Sequence, residues 1–163
     1  MCATNASCTD WNDQLRCLIK AFGHRNWVLV ADSAYPMLAS PGVITLVTDT
    51  DHIEVVRQVL DAIEASPHLR PIIHLDAELM HVAEDEAPGI TTVRQQLNQL
   101  LNGKEVRRVL HEELIHRVDE AARLFQVLVL KTTLTLPYTT VFFELDCGYW
   151  DADREHALRE RIM

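Results

Sequence analysis

The sequence predicts an α/β domain in which helices flank a layered, largely parallel sheet. Three observations indicate this class. First, segments whose apolar residues recur with the period of a helix alternate with segments that are typical of strands. Second, the run Trp27–Ala31 is continuously apolar. Third, a length of 163 residues suits one domain. A strand that is apolar at every position is typical of a sheet covered on both faces. We therefore predict one domain over 1–163, with 1–9 a candidate disordered segment and 151–163 a C-terminal helix.

The first half of the chain is predicted to hold two helices and three strands. The first helix covers about 10–22, with Asp10 as its N-cap and Gly23 in the left-handed position that ends it. Asp49 or Asp51 caps the second helix. The strands are expected over Trp27–Ala31, Val43–Val47 and Pro71–Leu75.

The second half continues the alternation of helices and strands. One helix is predicted over 91–102, where Gly103 ends it, and another over 111–125. Asp151 caps a short, charged terminal helix. The strands are expected over Val106–Leu110, Val127–Thr132 and Thr140–Leu145. The last two strands are rich in β-branched and aromatic residues.

Composition excludes several functional classes. The chain has 15 Lys and Arg against 24 Asp and Glu, a formal net charge of −9. This argues against nucleic-acid binding, which needs clustered basic side chains, and fits a neutral or cationic small molecule. No apolar run approaches the ~20 residues of a membrane span, and the N-terminus lacks a secretion-signal pattern. The 4 cysteines show no CxxC spacing, so we expect reduced thiols in the cytoplasm.

Candidate chemistry first appears around the strand Trp27–Ala31. His24 follows the first helix, and Asp32 directly follows the strand, where open α/β sheets place ligands. His24 titrates near neutral pH and can exchange protons, and the Asp32 carboxylate can accept hydrogen bonds from two neighbouring hydroxyls of a polyol. The alternative is structural: a solvated histidine at a helix end and an Asx turn at Asp32.

A second candidate is His111, at the junction of a predicted strand and helix. The acidic residues that follow it suit the first turn of a helix. His116 lies about 140° further round the helix, so the two histidines cannot share a ligand and HEELIH is not the HExxH of zinc proteases.

A metal site has one candidate set in the sequence. The set is His74, Asp76 and Glu78, which would point to one face if the strand continued through this segment. The alternative is a solvated turn after that strand.

An aromatic candidate lies between the last two predicted strands. Pro137 fixes a turn there, and Tyr138 offers both a ring and a hydroxyl at the sheet edge. The apolar face of a sugar stacks on such rings. Packing of Tyr138 against the sheet is the alternative.

Taken in order, these segments resemble the RbsD/FucU family of sugar-binding mutarotases. In that family a helix ends in Gly-His, a buried strand leads into Ala-Asp-x-x-aromatic-Pro, a later segment contains a histidine, and Pro-Tyr-x-Asn follows. The matching residues here are Gly23, His24, Ala31, Asp32, Tyr35, Pro36, His111, Pro137 and Tyr138. The chain departs from the family pattern at three places. The family's Gly-Asp after the first histidine is Arg25-Asn26 here, and the Gly-Glu of its Thr-Gly-Glu turn is Thr133-Leu134. The asparagine of Pro-Tyr-x-Asn is Thr140. The second family histidine is either His111 or His116, and the strand–helix junction favours His111.

The resemblance implies an enzyme without cofactor or metal that interconverts the α and β anomers of a free aldose such as ribose or fucose. His24 is expected to donate a proton, Asp32 to fix hydroxyls, and His111 to complete the catalytic set. The side chains expected to contact the sugar are Tyr35, Tyr138, Thr140 and Arg25. Ring-shaped homo-oligomers, pentamers or decamers, with sites near subunit contacts are also implied. The alternative is a non-catalytic module for a sugar, sugar phosphate or sugar acid, with Arg25 as an anion-binding fork.

Overall fold

The computed structural model describes residues 10–163 as a six-stranded sheet with helices on both faces. The helices are α1 (Trp11–Ala21), α2 (His52–Glu64), α3 (Ile90–Leu100), α4 (His111–Ala121) and α5 (Ala152–Ile162), with a 3-10 turn over Ala77–Met80. The strands are β1 (Trp27–Ala31), β2 (Val43–Val47), β3 (Leu69–Asp76), β4 (Val106–Val109), β5 (Val127–Lys131) and β6 (Val141–Cys147). The predicted α/β class is confirmed.

The strand order is β2-β5-β1-β6-β3-β4, and only β6 runs antiparallel to its neighbours within the described residues. The carboxyl ends of the parallel strands therefore meet at one edge of the sheet. Val141 begins β6 opposite Val30 of β1 and Leu75 of β3, so the segment before β6 arrives at that same edge. This topology gathers residues from four parts of the chain.

Strand β1 explains the continuous apolar run, because all five of its residues are buried. Val28 and Val30 contribute to the core beneath α1, α2 and α3. Trp27, Leu29 and Ala31 contribute to the second core, beneath α4. A strand with apolar contacts on both faces is the expected solution for such a sequence.

The predicted N-caps are present, but the end of α1 differs from the prediction. Asp10, Asp51 and Asp151 each accept a hydrogen bond from a backbone N–H in the first turn of their helix. Gly23 does not take the left-handed conformation; Arg25 does, with φ of 74°. The physical reason is a side-chain cap, since the N–H of Gly23 donates to Oδ1 of Asn26 at 2.8 Å.

The structure also bears on the predictions for the chain ends, the cysteines and membrane spans. The candidate disordered segment 1–9 lies outside the described residues. Over 10–163, Cys17 and Cys147 are free thiols. No described helix combines the length and apolar character needed to cross a membrane. Helix α5 begins after the Asp151 cap, as predicted, and buries none of its side chains.

Candidate active site

A cavity of about 490 Å³ opens where β1, β4 and the segment before β6 end together. We call it the carboxyl-end cavity. Its lining residues are Asp32, Ala34, Tyr35, Pro36, His111, Ile115, Pro137 and Tyr138. Four residues predicted from the sequence to form a site, Asp32, Tyr35, His111 and Tyr138, thus line one volume. Open α/β sheets bind ligands at this edge.

His111 is held at the cavity by two carboxylates. It begins α4, where the preceding residue Leu110 has no side chain able to cap the helix. Glu78 replaces the cap: its two oxygens accept the backbone N–H of His111 at 3.1 and 3.0 Å. Nδ1 of the His111 ring lies 3.0 Å from Oδ2 of Asp76.

The Asp76 contact decides which ring nitrogen of His111 is available to a ligand. An ionised carboxylate only accepts hydrogen bonds, so Nδ1 carries the proton and donates it to Asp76. Nε2 of the neutral ring then keeps a lone pair that can accept a proton. This carboxylate–imidazole pair is the arrangement that orients a general base.

Asp76 is an unusual partner because it is fully buried at the end of β3. Burial raises the pKa of its carboxyl group, the adjacent His111 opposes this, and the charges of Glu78 and Asp32 add to it. Oδ1 of Asp76 has no hydrogen-bond partner among the described residues. Sequence reasoning named Asp76 only as a candidate metal ligand and missed this role; its place directly after the predicted strand Pro71–Leu75 was the available signal.

Tyr138 presents its ring to the same space in a strained backbone conformation. Its φ is 57°, a left-handed value that non-glycine residues rarely adopt and that costs ~1–3 kcal/mol. The side chain is 40% exposed, and its ring meets the His111 ring edge-on with centroids 5.5 Å apart. Strain that places a half-exposed aromatic ring in a cavity is typical of ligand sites.

Asp32 combines both roles that the sequence allowed. Its Oδ2 accepts the N–H of Ala34 at 3.2 Å, which is the Asx turn of the structural alternative. Its Oδ1 makes no hydrogen bond to any described residue, and the half-buried residue lines the cavity wall. One carboxylate oxygen therefore shapes the turn, and the other can accept from a ligand hydroxyl.

The carboxyl-end cavity is electrostatically negative. Burial, followed by the charges of Asp119, Asp76 and Asp32, raises the pKa of the Tyr35 phenol far above its ordinary value, so this side chain stays neutral. The residues lining the cavity include no lysine or arginine. Such a site suits a neutral, hydroxyl-bearing ligand better than an anion.

A second cavity, of about 360 Å³, lies at the opposite end of β1, and we call it the amino-end cavity. Arg25 and His116 line it. Arg25 stacks its guanidinium over the Phe125 ring, 5.7 Å from the centroid. His24 precedes β1 at this end and is exposed.

The strand between the two cavities separates residues that the sequence analysis grouped. Five extended residues span ~16 Å, so His24 and Arg25 lie at the opposite sheet edge from Asp32. Within one chain, neither His24 nor Arg25 lines the cavity that contains Asp32. Of the two later histidines, His111 lines the carboxyl-end cavity and His116 the amino-end cavity.

The expected sugar contact of Thr140 and the candidate metal set have other surroundings in the structure. Thr140 is 2% exposed and is not among the residues that line the carboxyl-end cavity. The proposed metal set is divided among other partners: Nε2 of His74 lies 2.8 Å from Glu144, while Asp76 and Glu78 both bind His111. In residues 10–163 no three His, Cys, Asp or Glu side chains are grouped to hold a metal ion.

Comparison with known proteins agrees with this architecture. The model of the RbsD / FucU transport protein family matches residues 11–146. No curated protein shows significant similarity to the chain.

Solved structures share the fold at low sequence identity. Bacillus subtilis RbsD complexed with D-ribose has a TM-score of 0.59 and 14% identity, covering 88% of this chain and 98% of that one. The fucose mutarotase of Streptococcus pneumoniae in complex with L-fucose has a TM-score of 0.58 and 16% identity, covering 86% of this chain and 98% of that one. FucU from Bifidobacterium longum has a TM-score of 0.52 and 12% identity, covering 82% and 94%. These likenesses establish the fold.

Proposed function

We propose that this chain, which belongs to the RbsD / FucU transport protein family, binds a neutral monosaccharide in the carboxyl-end cavity and interconverts its α and β anomers. The observation that carries the proposal is the placement of Asp32, the oriented imidazole of His111 and the Tyr138 ring around one volume. Ribose and fucose are the first candidate sugars, since similar folds are described in complex with them. We expect the protein to act in the cytoplasm on free sugar.

The charge of the cavity supports a neutral sugar over the sugar phosphates and sugar acids of the alternative function. Asp32 lies in the wall and Asp76 directly behind His111, whereas Arg25 lines the amino-end cavity. An anionic ligand would meet two carboxylates without a compensating cation from the residues that line the carboxyl-end cavity. Hydroxyl groups instead find a carboxylate acceptor, a phenol and a ring face.

Anomer exchange requires that the ring C–O bond of the sugar breaks and re-forms. One proton must reach the ring oxygen while another leaves the anomeric hydroxyl, and both transfers reverse when the ring closes on the other face. Nε2 of His111, with its lone pair, would take the proton of the anomeric hydroxyl. Positioned acid and base groups contribute ~10²–10⁴-fold to such a step.

The proton donor assigned by family resemblance is His24, and it would have to come from a neighbouring copy. His24 and Asp32 of one chain lie at opposite ends of β1. A ring in which the amino end of one copy faces the carboxyl-end cavity of the next would bring them together. The exposure of His24 is compatible with this arrangement. We therefore propose a homo-oligomer whose sites are completed between copies.

Saturation-transfer NMR on free aldoses tests the catalytic proposal. Addition of the protein is expected to accelerate transfer between the α and β signals of at least one neutral sugar in a panel that includes ribose and fucose. Thermal shifts on the same panel, extended to sugar phosphates and sugar acids, separate the two functions. Stabilisation by a sugar without any exchange would favour the binding module and overturn the mutarotase.

A complementation experiment tests the shared site. His24→Ala and His111→Ala are each expected to abolish exchange in a homogeneous oligomer. After the two variants are mixed and allowed to exchange subunits, about a quarter of the interfaces would unite an intact His24 with an intact His111. Recovery of a comparable share of activity supports the proposal. A mixture that stays inactive despite proven subunit exchange would contradict it.

A further inference from the structure

A buried histidine that the proposed mechanism leaves unused lies behind the carboxyl-end cavity. His52 is the first residue of α2 and is 1% exposed. Its Nε2 lies 2.7 Å from the carbonyl oxygen of Thr139, and its Nδ1 lies 2.9 Å from Oγ1 of Thr132. Because a carbonyl oxygen only accepts, Nε2 carries the proton and donates it to Thr139. Oγ1 of Thr132 also lies 3.0 Å from the carbonyl oxygen of Ala31, so its one hydroxyl proton is shared between that carbonyl and Nδ1 of the neutral ring.

One partner of His52, Thr139, directly follows a residue that lines the cavity, and the other, Thr132, is hydrogen-bonded to the strand that leads into Asp32. Thr139, whose carbonyl oxygen accepts from His52, is the residue directly after Tyr138. Thr132 donates its backbone N–H to the carbonyl oxygen of Ala31 at 2.8 Å, and Ala31 immediately precedes Asp32. The imidazole therefore connects the end of β1 with the turn that carries the Tyr138 ring.

The Tyr138 turn depends on such connections because its backbone is in the left-handed region. The ring of Pro137 fixes the backbone φ of the residue directly before Tyr138, and the Thr139 hydroxyl donates to the carbonyl of Leu136 at 2.8 Å. Both of these restraints are local. The bond from His52 reaches the turn from another element, 87 residues earlier in the chain.

Burial keeps this imidazole in the state that the geometry requires. Desolvation lowers the pKa of His52, while the Thr139 carbonyl and the charges of Asp32 and Asp51 oppose that shift. The neutral ring, with its proton on Nε2, keeps the hydrogen bond to the Thr139 carbonyl.

We propose that His52 is a positioning residue of the sugar site: its neutral imidazole fixes the Pro137–Thr140 turn against the end of β1, so that Tyr138 and Asp32 face one ligand. The sugar as ligand rests on the proposed function. The fixed turn does not, and it can be measured without any sugar.

Two amide substitutions separate the partners of His52. The side-chain amide of His52→Gln reaches the place of Nε2 and can still donate to the Thr139 carbonyl. The shorter amide of His52→Asn reaches only the place of Nδ1 and loses the Thr139 contact. Leu97→Val, in the buried face of α3, serves as a control for a general loss of stability.

Two readouts are needed. The chain has only 3 tyrosines, so ring-labelled tyrosine gives an assignable NMR signal for Tyr138 and its contact with the His111 ring in the ligand-free protein. We expect His52→Gln to keep this ring contact and His52→Asn to lose it. In sugar exchange, His52→Asn should raise KM about tenfold with a smaller change in kcat, and His52→Gln should restore KM.

The proposal is overturned if both His52 variants keep the ring contact and the KM of the parent. It is equally overturned if Leu97→Val, at the same loss of thermal stability, raises KM as much as His52→Asn does. Should the His52 variants not fold, Thr132→Val and Thr132→Ser repeat the comparison, with loss of the ring contact expected for valine and retention for serine. If the parent protein acts on no sugar, the proposed function fails, while the ring contact still decides the role of His52.

Discussion

The two cavities at the ends of β1 contain similar residue types but arrange them differently. At the amino end, charged groups are paired within the chain: Glu144 with His74, Arg117 with Glu113, and Arg25 over an aromatic ring. At the carboxyl end, Nε2 of His111 and Oδ1 of Asp32 make no hydrogen bond to any described residue. This difference supports our proposal that the carboxyl-end cavity is the catalytic site.

Backbone strain alone would not have distinguished the two ends. Each end has a left-handed non-glycine residue, Tyr138 with φ of 57° and Arg25 with φ of 74°. The distinguishing feature is an imidazole whose tautomer is set by a buried carboxylate. His111 has such a partner in Asp76, whereas His116 is exposed and has none among the described residues.

The largest expected effect compares the two histidines of α4. His111→Ala removes the proposed base and should slow anomer exchange ~10²–10⁴-fold. His116→Ala, five residues along the same helix, is the matched control and should leave exchange unchanged. Saturation-transfer NMR measures both variants. Equal loss in the two variants would remove the distinction between the cavities.

The next comparison uses the carboxylate partner of a histidine at each end. Asp76→Asn keeps the shape of the side chain but no longer favours the proton on Nδ1 of His111, so exchange should fall ~10–100-fold with little change in sugar affinity. Glu144→Gln alters the His74 pair at the amino end and should leave exchange near the parent rate. A larger loss for Glu144→Gln than for Asp76→Asn would reverse our assignment.

A smaller effect is expected for the hydroxyl-binding carboxylate. Asp32→Asn replaces a charged acceptor by a neutral one and should weaken sugar binding about tenfold, measured by calorimetry. Asp49→Asn is the control, since Asp49 is an exposed carboxylate in a left-handed position after the end of strand β2. Affinity that is unchanged in Asp32→Asn would exclude this side chain from the ligand contacts.

The smallest effect concerns the pH dependence of stability. Burial lowers the pKa of His52 in the folded protein, so the unfolded chain binds its proton first as pH falls below ~6.5. The free energy of unfolding should therefore decrease by up to ~1.4 kcal/mol per pH unit through this group, and His52→Gln should flatten that decrease.

Asp76 provides a control of opposite sign. Burial raises its pKa, so the folded protein takes up this proton before the unfolded chain, and stability from this group grows as pH falls. Asp76→Asn should accordingly steepen the acid loss. Urea titrations between pH 4 and 8 measure both slopes, and identical slopes in all three proteins would contradict the assigned burial effects.

Much of the fold could be predicted because it depends on local patterns. The bounds of β1 and β2 agree with the prediction, since a continuous apolar run defines β1 and a run rich in β-branched residues defines β2. Helix α4 ends at Ala121 rather than at residue 125, because the chain must turn before it enters β5 at Val127. The end of α1 depends on the Asn26 side chain, which a pattern centred on Gly23 does not include.

The candidate site was predicted only in part. Asp32, Tyr35, His111 and Tyr138 follow or precede strands that end at one edge, and the sequence order places them there. His24 was grouped with Asp32 although the five-residue strand between them already excluded contact within one chain.

The contacts of Asp76 and His52 escaped the sequence analysis for a different reason. Asp76 meets His111 across 35 positions of sequence, and His52 meets Thr132 across 80. Contacts of this kind follow from strand order, which local periodicity does not determine. A lone histidine at the start of an amphipathic helix gives no signal of its buried partners.

A crystal structure of the protein with D-ribose or L-fucose tests the central claim most directly. We predict that the sugar lies in the carboxyl-end cavity, with its anomeric hydroxyl within hydrogen-bond distance of Nε2 of His111 and neighbouring hydroxyls on Asp32. A sugar bound instead beside Arg25 and His116, with the carboxyl-end cavity holding only water, would contradict the account.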